Sequence, residues 1–143
     1  MWAMSVLGIV TAVLILLAPG PQGTTDPRGE MHFMAQAQNF VIYRNTVNQY
    51  VLDNPAMTGV VADADIDLGP WQKGSWQNLS TGSAIYVYGP LDAASGLEVV
   101  RQVGKTSMLG WKRSGNLISP ANGDMGAMPS IIPDGSFVSV IAR

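Results

Sequence analysis

The first 25 residues contain no charged side chain, and this feature limits the possible folds of the chain more than any other. All 18 charged residues lie between Asp26 and Arg143, and fifteen of residues 1–18 are apolar. As a helix, residues 1–18 would be about 27 Å long, close to the ~30 Å hydrocarbon core of a bilayer. We therefore predict a transmembrane anchor at residues 1–18, whose side chains in the membrane include Trp2, Leu7, Val10, Leu14 and Leu17.

A cleaved signal peptide is the alternative interpretation of this segment. Signal peptides begin with Lys or Arg and end at a site of small residues, whereas here Pro19 directly follows Ala18, the one plausible small residue. A retained anchor is therefore favoured. The chain has no cysteine, which excludes a lipoprotein signal. Orientation depends on nearby basic residues, and only Arg28 lies close to the segment. With a cytoplasmic N-terminus, residues 20–143 would lie outside the cytoplasmic membrane.

Residues 19–29 connect this segment to the rest of the chain, and six of these eleven are Pro or Gly. Such a composition predicts a flexible tether. The remaining residues, 30–143, are enough for a single domain. Anchor, tether and one soluble domain are thus the predicted organisation.

Apolar spacing predicts the elements of this domain. From residue 30 to 54 apolar residues recur every three or four positions, which predicts an amphipathic helix that ends before Pro55. Its predicted core face contains Phe40, Tyr43, Val47 and Tyr50. Strands are predicted at 84–88, 108–113, 116–119 and 136–141. A short helix with Gly104 as its stop is predicted between residues 91 and 103, in preference to a strand over 97–103. Long loops are expected at 55–82 and 120–133. The predicted fold is α+β, with the amphipathic helix packed on a mostly antiparallel sheet and a second short helix.

Motifs for catalysis or metal binding are weak in this sequence. His32 is the only histidine and is expected to be solvated. The D-x-D-x-D run Asp63, Asp65 and Asp67 begins like a calcium loop, but Leu68 and Gly74 stand where that loop needs Gly and Glu. The formal charge of −2, without a basic stripe, argues against nucleic-acid binding. We expect no catalytic residues, no metal, no cofactor and no small-molecule substrate.

Three tryptophans lie within the predicted domain, at positions 71, 76 and 111. Aromatic residues of this kind are mostly core or rim residues, but Trp and Tyr also dominate the energetics of protein interfaces. Trp71 and Trp76 lie in the predicted loop 55–82. We therefore take Trp71 and Trp76 as the candidate partner surface.

Several segments together give the chain its resemblance to a known family. They are the apolar N-terminus, the helix segment NFVIYRNTVNQY at 39–50, the strand end IYVYGP at 85–90, the hairpin arm NLISP at 116–120 and the closing segment IPDGSFVSVI at 132–141. In these segments the chain resembles the small PilM proteins of plasmid-encoded thin-pilus (type IVb) operons. The resemblance implies a component of the bacterial inner membrane. Together with the anchor predicted at residues 1–18, we expect a single-pass protein with its domain in the periplasm. The resemblance further implies that the protein acts in pilus assembly for conjugation or adherence, through contacts with other pilus-assembly proteins.

The amino-acid sequence alone leaves two other functions open. A secreted or periplasmic hydrolase could use Asp63, Asp65 or Asp67, and a minor pilin-like subunit could enter the fibre itself. A major pilin is disfavoured because it carries a Glu five residues into its mature chain, whereas no acidic residue precedes Asp26 here. The Pro- and Gly-rich tether would also interrupt the long helix of a pilin.

Overall fold

The computed structural model describes residues 26–71, 73–105 and 107–143. The predicted anchor at 1–18 and most of the tether lie outside these residues. Neither of the two α-helices in the described ranges is long and apolar enough to cross a membrane. The elements are α1 (Pro27–Asp53), a short 3-10 helix (Asp63–Asp65), β1 (Gln77–Ser80), β2 (Ala84–Gly89), α2 (Ala93–Val103), β3 (Met108–Arg113), β4 (Asn116–Ser119), β5 (Gly123–Ala127) and β6 (Phe137–Ala142).

Helix α1 begins at Pro27, three residues earlier than the sequence analysis placed it, so the end of the predicted tether is helical. The carboxylate of Asp26 accepts a hydrogen bond from the backbone N–H of Arg28 at 3.1 Å, and proline occupies the first helical turn. An acidic cap followed by proline is a strong start signal that the tether composition obscured. The helix ends at Asp53, as the proline at position 55 predicted.

One face of α1 packs against the sheet. Ala37, Phe40, Tyr43, Val47 and Val51 are its buried residues, and their spacing of three and four residues confirms the predicted amphipathic pattern. Tyr50, which was expected in the same core face, is only partly buried. Ala37 is the first buried residue, so the ten residues before it, 27–36, are exposed or only partly buried.

The sheet has six strands in the order β1-β2-β6-β3-β4-β5, and every neighbouring pair is antiparallel. The predicted hairpin of β3 and β4, the predicted strand β2 and the closing strand β6 are all present. The C-terminal strand β6 lies between β2 and β3, and so joins the two halves of the sheet. The α+β class and the antiparallel sheet are therefore confirmed.

Two strands were missed, and both lie at the edges of the sheet. Strand β1 lies inside the segment predicted as a loop at 55–82, and β5 lies inside the one predicted at 120–133. Their sequences, QNLS and GDMGA, lack the β-branched and aromatic residues that signal a strand. Pairing with a neighbouring strand, rather than local preference, creates both elements.

Helix α2 confirms the helical alternative for residues 91–103. The carboxylate of Asp92 accepts a hydrogen bond from the backbone N–H of Ser95 at 2.8 Å, and Gly104 ends the helix with a φ of 108°. Gly96 lies so close to the ring of Trp111 that a Cβ atom at position 96 would overlap that ring. This close approach seats α2 beside α1 on the same face of the sheet.

The opposite face of the sheet carries a smaller core. Leu117, Ile132 and Val138 are fully buried there, and residues 128–135 cover part of it. Lys112 is only 4% exposed, and its ammonium group donates hydrogen bonds to the carbonyl oxygens of Pro129 at 3.0 Å and Ile132 at 2.7 Å. Lys112 therefore holds this covering loop onto the sheet.

Candidate functional site

A cleft of about 760 Å³ lies beside the N-terminal half of α1. Its other walls are the segment before β1 and the turn between β2 and α2. We call it the α1 cleft; the residues that define it are His32, Ala35, Gln36, Asn39, Gly74, Ser75, Trp76, Pro90, Leu91, Asp92 and Gly135.

The floor of the α1 cleft is apolar and fixed in place. Trp76 and Leu91 are 5% and 7% exposed, and the indole N–H of Trp76 donates a hydrogen bond to Asn39 Oδ1 at 2.6 Å. Around Trp76 the backbone comes so close that a Cβ atom on Gly74 would lie 2.6 Å from the indole. A Cβ atom on Gly89 would lie 2.9 Å from the same ring system. The floor is therefore formed before any ligand binds.

Phe40 supports this floor from the core side. Its ring meets Trp76 edge to face, with the ring centroids 5.2 Å apart, and meets Phe137 in the same way at 5.4 Å. Edge-to-face pairs of this kind add to the energy of burial. The cleft is thus built directly on the contact between α1 and the sheet.

The polar wall of the cleft is a short chain of hydrogen-bonding side chains. His32 Nε2 lies 3.1 Å from the amide nitrogen of Gln36, while Ser95 Oγ lies 3.2 Å from Gln36 Oε1 and 2.9 Å from Asp92 Oδ2. The backbone N–H of Ser95, above all, lowers the pKa of Asp92, and a positive charge on His32 acts in the same direction. Asp92 is therefore an ionised acceptor at neutral pH.

Ser95 is fully buried, so its hydroxyl group links Gln36 and Asp92 rather than facing the cleft. His32 is exposed, as expected, but it also lines the cleft, which was not foreseen. Taken together, the wall offers hydrogen-bond donors and acceptors with one carboxylate beside an apolar floor. Such a surface can hold a polar backbone and an apolar side chain at the same time.

The acidic loop does not form a calcium loop. Asp63 pairs with Lys73, with Oδ1 and Nζ 2.6 Å apart, and Asp67 Oδ1 accepts the backbone N–H of Gly69 at 2.7 Å. Over residues 26–71, 73–105 and 107–143 there is no group of three or more His, Cys, Asp or Glu side chains placed to hold a metal ion. The carboxylates at Asp63 and Asp67 are thus used within the loop itself.

A smaller hollow of about 250 Å³ lies next to this loop and includes Tyr43, Asp63 and Lys73. The Tyr43 hydroxyl accepts a hydrogen bond from Asn78 Nδ2 at 2.8 Å, and Lys73 Nζ lies 5.5 Å from the centre of the Tyr43 ring. Burial raises the pKa of Tyr43 above its ordinary value. The phenol therefore stays protonated and serves to join α1 to β1.

The two tryptophans of the predicted partner surface differ in their exposure. Trp71 is 43% exposed and lies three residues before Gly74 of the α1 cleft, so its role in partner binding stays a prediction. Trp76 is buried and contributes only to the floor of the α1 cleft, so its role in partner binding also stays a prediction. It packs on Phe40 and its indole N–H is bonded to Asn39, and both interactions need the folded tertiary structure. The predicted anchor residues Trp2, Leu7, Val10, Leu14 and Leu17 lie outside the described residues.

Sequence reasoning missed most of the cleft. Ala35, Gln36 and Asp92 belong to no motif, and they come together only because α1 crosses the start of α2. Gly74, two residues before Trp76, was the one available signal, since glycine is common where the backbone must approach another group closely.

Comparisons with known proteins agree with this architecture. The family model named PilM matches residues 10–140. The chain is similar to the crystal structure of a PilM protein from Escherichia coli B7A, with a TM-score of 0.61, 20% identity, and coverage of 86% of this chain and 100% of that one. A PilM protein from Pseudomonas aeruginosa 2192 gives a TM-score of 0.43 and 22% identity over 77% of this chain and 94% of that one. The comparison with curated proteins found no match. Because the family model covers most of its length, the chain belongs to the PilM family.

Proposed function

We propose that this protein is a membrane-anchored component of a type IV (thin) pilus assembly apparatus and that it acts by binding other pilus-assembly proteins. Membership of the PilM family supports a role connected with pili. The uncharged, apolar run at residues 1–18 supports an anchor in the bacterial inner membrane. The domain that begins at Asp26 would then lie on the periplasmic side.

The α1 cleft is the observation that carries the proposal of binding by protein contacts. Gln36, Ser75 and Asp92 present amide, hydroxyl and carboxylate groups, and Trp76 and Leu91 form a floor that is already in place. A rigid apolar floor beside polar side chains resembles the centre and rim of protein interfaces. Because the floor needs no rearrangement, a partner segment would lose little free energy to ordering of the site.

The position of the cleft also fits an anchored protein. His32, at one end of the cleft, lies six residues after Asp26, which is about 9 Å along the helix axis at ~1.5 Å per residue. The cleft is therefore on the end of the domain that adjoins the N-terminal segment, and so on the membrane side in the proposed arrangement. Confinement to one membrane raises the effective concentration of the domain for partners in that membrane.

Fractionation of cells that carry the pilus genes tests the anchor. We expect the full chain to remain in the membrane pellet after an alkaline wash, because an apolar helix of this length resists extraction. A chain that lacks residues 1–18 is the control and should appear in the soluble fraction. A full chain that is released by the wash would contradict anchoring.

A reporter fused after Arg143 tests the orientation. We expect an enzyme that is active only in the periplasm to be active in this fusion, and one that is active only in the cytoplasm to be inactive. The reverse result would place the domain in the cytoplasm and overturn that part of the proposal. Sequencing of the mature N-terminus then separates a retained anchor, which begins at residue 1 or 2, from a processed, pilin-like subunit.

A further inference from the structure

A second groove, of about 460 Å³, runs along helix α2 and shares no residue with the α1 cleft. Its first wall is one face of α2, and its second wall is the turn between β4 and β5. We call it the α2 groove; it is defined by Leu97, Val100, Arg101, Lys105, Pro120 and Ala121.

The α2 groove exposes apolar surface that the domain leaves uncovered. Leu97 is 53% exposed, whereas Val100, three residues later on the same helix face, is 8% exposed and belongs to the core. Pro120 adds apolar surface from the opposite wall. An added apolar side chain would therefore bury Leu97 against surface that is already ordered.

A hydrogen bond fixes the width of the groove. Asn122 Nδ2 donates to the carbonyl oxygen of Lys105 at 2.9 Å and so ties the β4–β5 turn to the end of α2. Within the turn, the backbone N–H of Ala121 donates to Ser119 Oγ at 3.3 Å. The two walls are thus held at a set distance before anything binds.

The charges along the rim are not balanced. Glu98, which is 8% exposed, accepts hydrogen bonds from Arg101 Nε at 2.7 Å, from Arg101 Nη2 at 2.6 Å and from Gln102 Nε2 at 2.9 Å. Arg101 and then Gln102 lower the pKa of Glu98 to about 2, so this carboxylate is matched within α2. Lys105 has no carboxylate partner in the described part of the chain, and residues 1–25, 72 and 106 contain no acidic residue. The rim therefore carries one uncompensated positive charge.

We propose that the α2 groove binds a partner protein segment that presents an apolar side chain next to a carboxylate. The apolar side chain would lie on Leu97, Val100 and Pro120, and the carboxylate would face Lys105. Charge complementarity favours this acidic partner, since the groove is basic on a chain whose formal charge is −2. The apolar floor favours a protein segment over a phosphate group, which would gain nothing from Leu97. The proposal depends neither on the membrane anchor nor on the α1 cleft.

N-acetyl-L-leucine is a minimal probe for this site because it combines one isobutyl side chain with one carboxylate. The experiment titrates it into the ¹⁵N-labelled full chain in zwitterionic micelles while the amide resonances are followed. We expect saturable shifts of the amide resonances, in the millimolar range, at residues 97–105, 121 and 122. N-acetyl-L-leucinamide, which lacks the carboxylate, and acetate, which lacks the side chain, should each bind at least fivefold more weakly.

Variants then test the two halves of the site. Leu97→Asp should abolish the saturable shifts, and Lys105→Gln should raise the Kd at least fivefold. Leu52→Asp and Arg28→Gln are the matched controls, because Leu52 is 62% exposed and both residues are exposed on α1, away from the groove. Both controls should bind like the unaltered chain.

Three results would overturn the proposal. Equal affinity for the acid and its amide would remove the carboxylate requirement, and an unchanged Kd in Lys105→Gln would remove its proposed partner. Saturable shifts with inorganic phosphate as strong as those with N-acetyl-L-leucine would indicate a general anion site. The result for Leu97→Asp is used only if the amide resonances outside the groove match those of the unaltered chain, which shows that the variant is folded. If they differ, Leu97→Ser is tested instead.

Discussion

Phe40→Ala is the substitution that tests the packing between α1 and the sheet. The Phe40 side chain is fully buried, and its ring lies between Trp76 and Phe137. Truncation of a buried phenylalanine to alanine costs about 3–5 kcal/mol, because burial energy is lost and a cavity remains. The two edge-to-face ring contacts place Phe40 toward the upper half of that range, about 4–5 kcal/mol.

Urea unfolding of the full chain in micelles, followed by tryptophan fluorescence, measures this loss, since Trp76 reports on the site directly. The loss should appear as a lower midpoint with an unchanged slope, and as a melting temperature lower by at least ~10 °C. Met34→Ala is the control: Met34 lies on the same helix, is 41% exposed and should change the unfolding free energy by less than ~1 kcal/mol. A loss of less than ~1 kcal/mol for Phe40→Ala, or equal losses for the two variants, would refute this account of the core.

Three further substitutions address other parts of the fold. Gly96→Ala should lower the unfolding free energy by about 1 kcal/mol, because overlap with the Trp111 ring outweighs the gain of ~1 kcal/mol in helix propensity; stabilisation of the thermal melt would contradict the close approach. In the folded protein the pKa of Glu98 is lowered from 4.5 to about 2, so the ionised carboxylate stabilises the fold above pH 4.5 and this contribution is lost as the pH falls toward 2. Glu98→Gln should therefore lose less stability than the unaltered chain between pH 5 and pH 2. A urea midpoint that falls equally with pH in both proteins would contradict it. Lys112→Met should cost about 2 kcal/mol in urea unfolding, because the carbonyl groups of Pro129 and Ile132 lose their donor and the second of these contacts is buried. An unchanged midpoint would show that the covering loop does not need Lys112.

Elements with strong local signals could be predicted from the sequence. The spacing of Phe40, Tyr43 and Val47 predicted helix α1. The run of β-branched and aromatic residues at 84–88 predicted strand β2, which lies next to the centre of the sheet. Gly104 correctly predicted where α2 ends. For α1 and β2, the residues that become buried can be recognised from the spacing of apolar residues along the sequence.

The remaining features depend on contacts between segments far apart in sequence. Strands β1 and β5 have weak strand sequences and exist because a neighbour offers them hydrogen bonds. Trp76 looks the same as Trp71 in sequence, and only the partners Phe40 and Asn39 decide which of the two is buried. The α1 cleft follows from the crossing of α1 with the start of α2, a geometry that no local pattern encodes.

The most direct test of the central claim, that this PilM-family protein acts in pilus assembly through contacts of its domain, is the yield of pili when the α1 cleft is filled. Ala35→Trp places a large side chain in the cleft, while Gln38→Trp places the same side chain on the exposed face of α1. Both would be expressed in cells that lack the native copy, at equal levels and with equal melting temperatures. We expect Ala35→Trp to reduce the number of pili per cell at least tenfold and Gln38→Trp to restore it fully. Equal numbers of pili with the two variants would contradict the account.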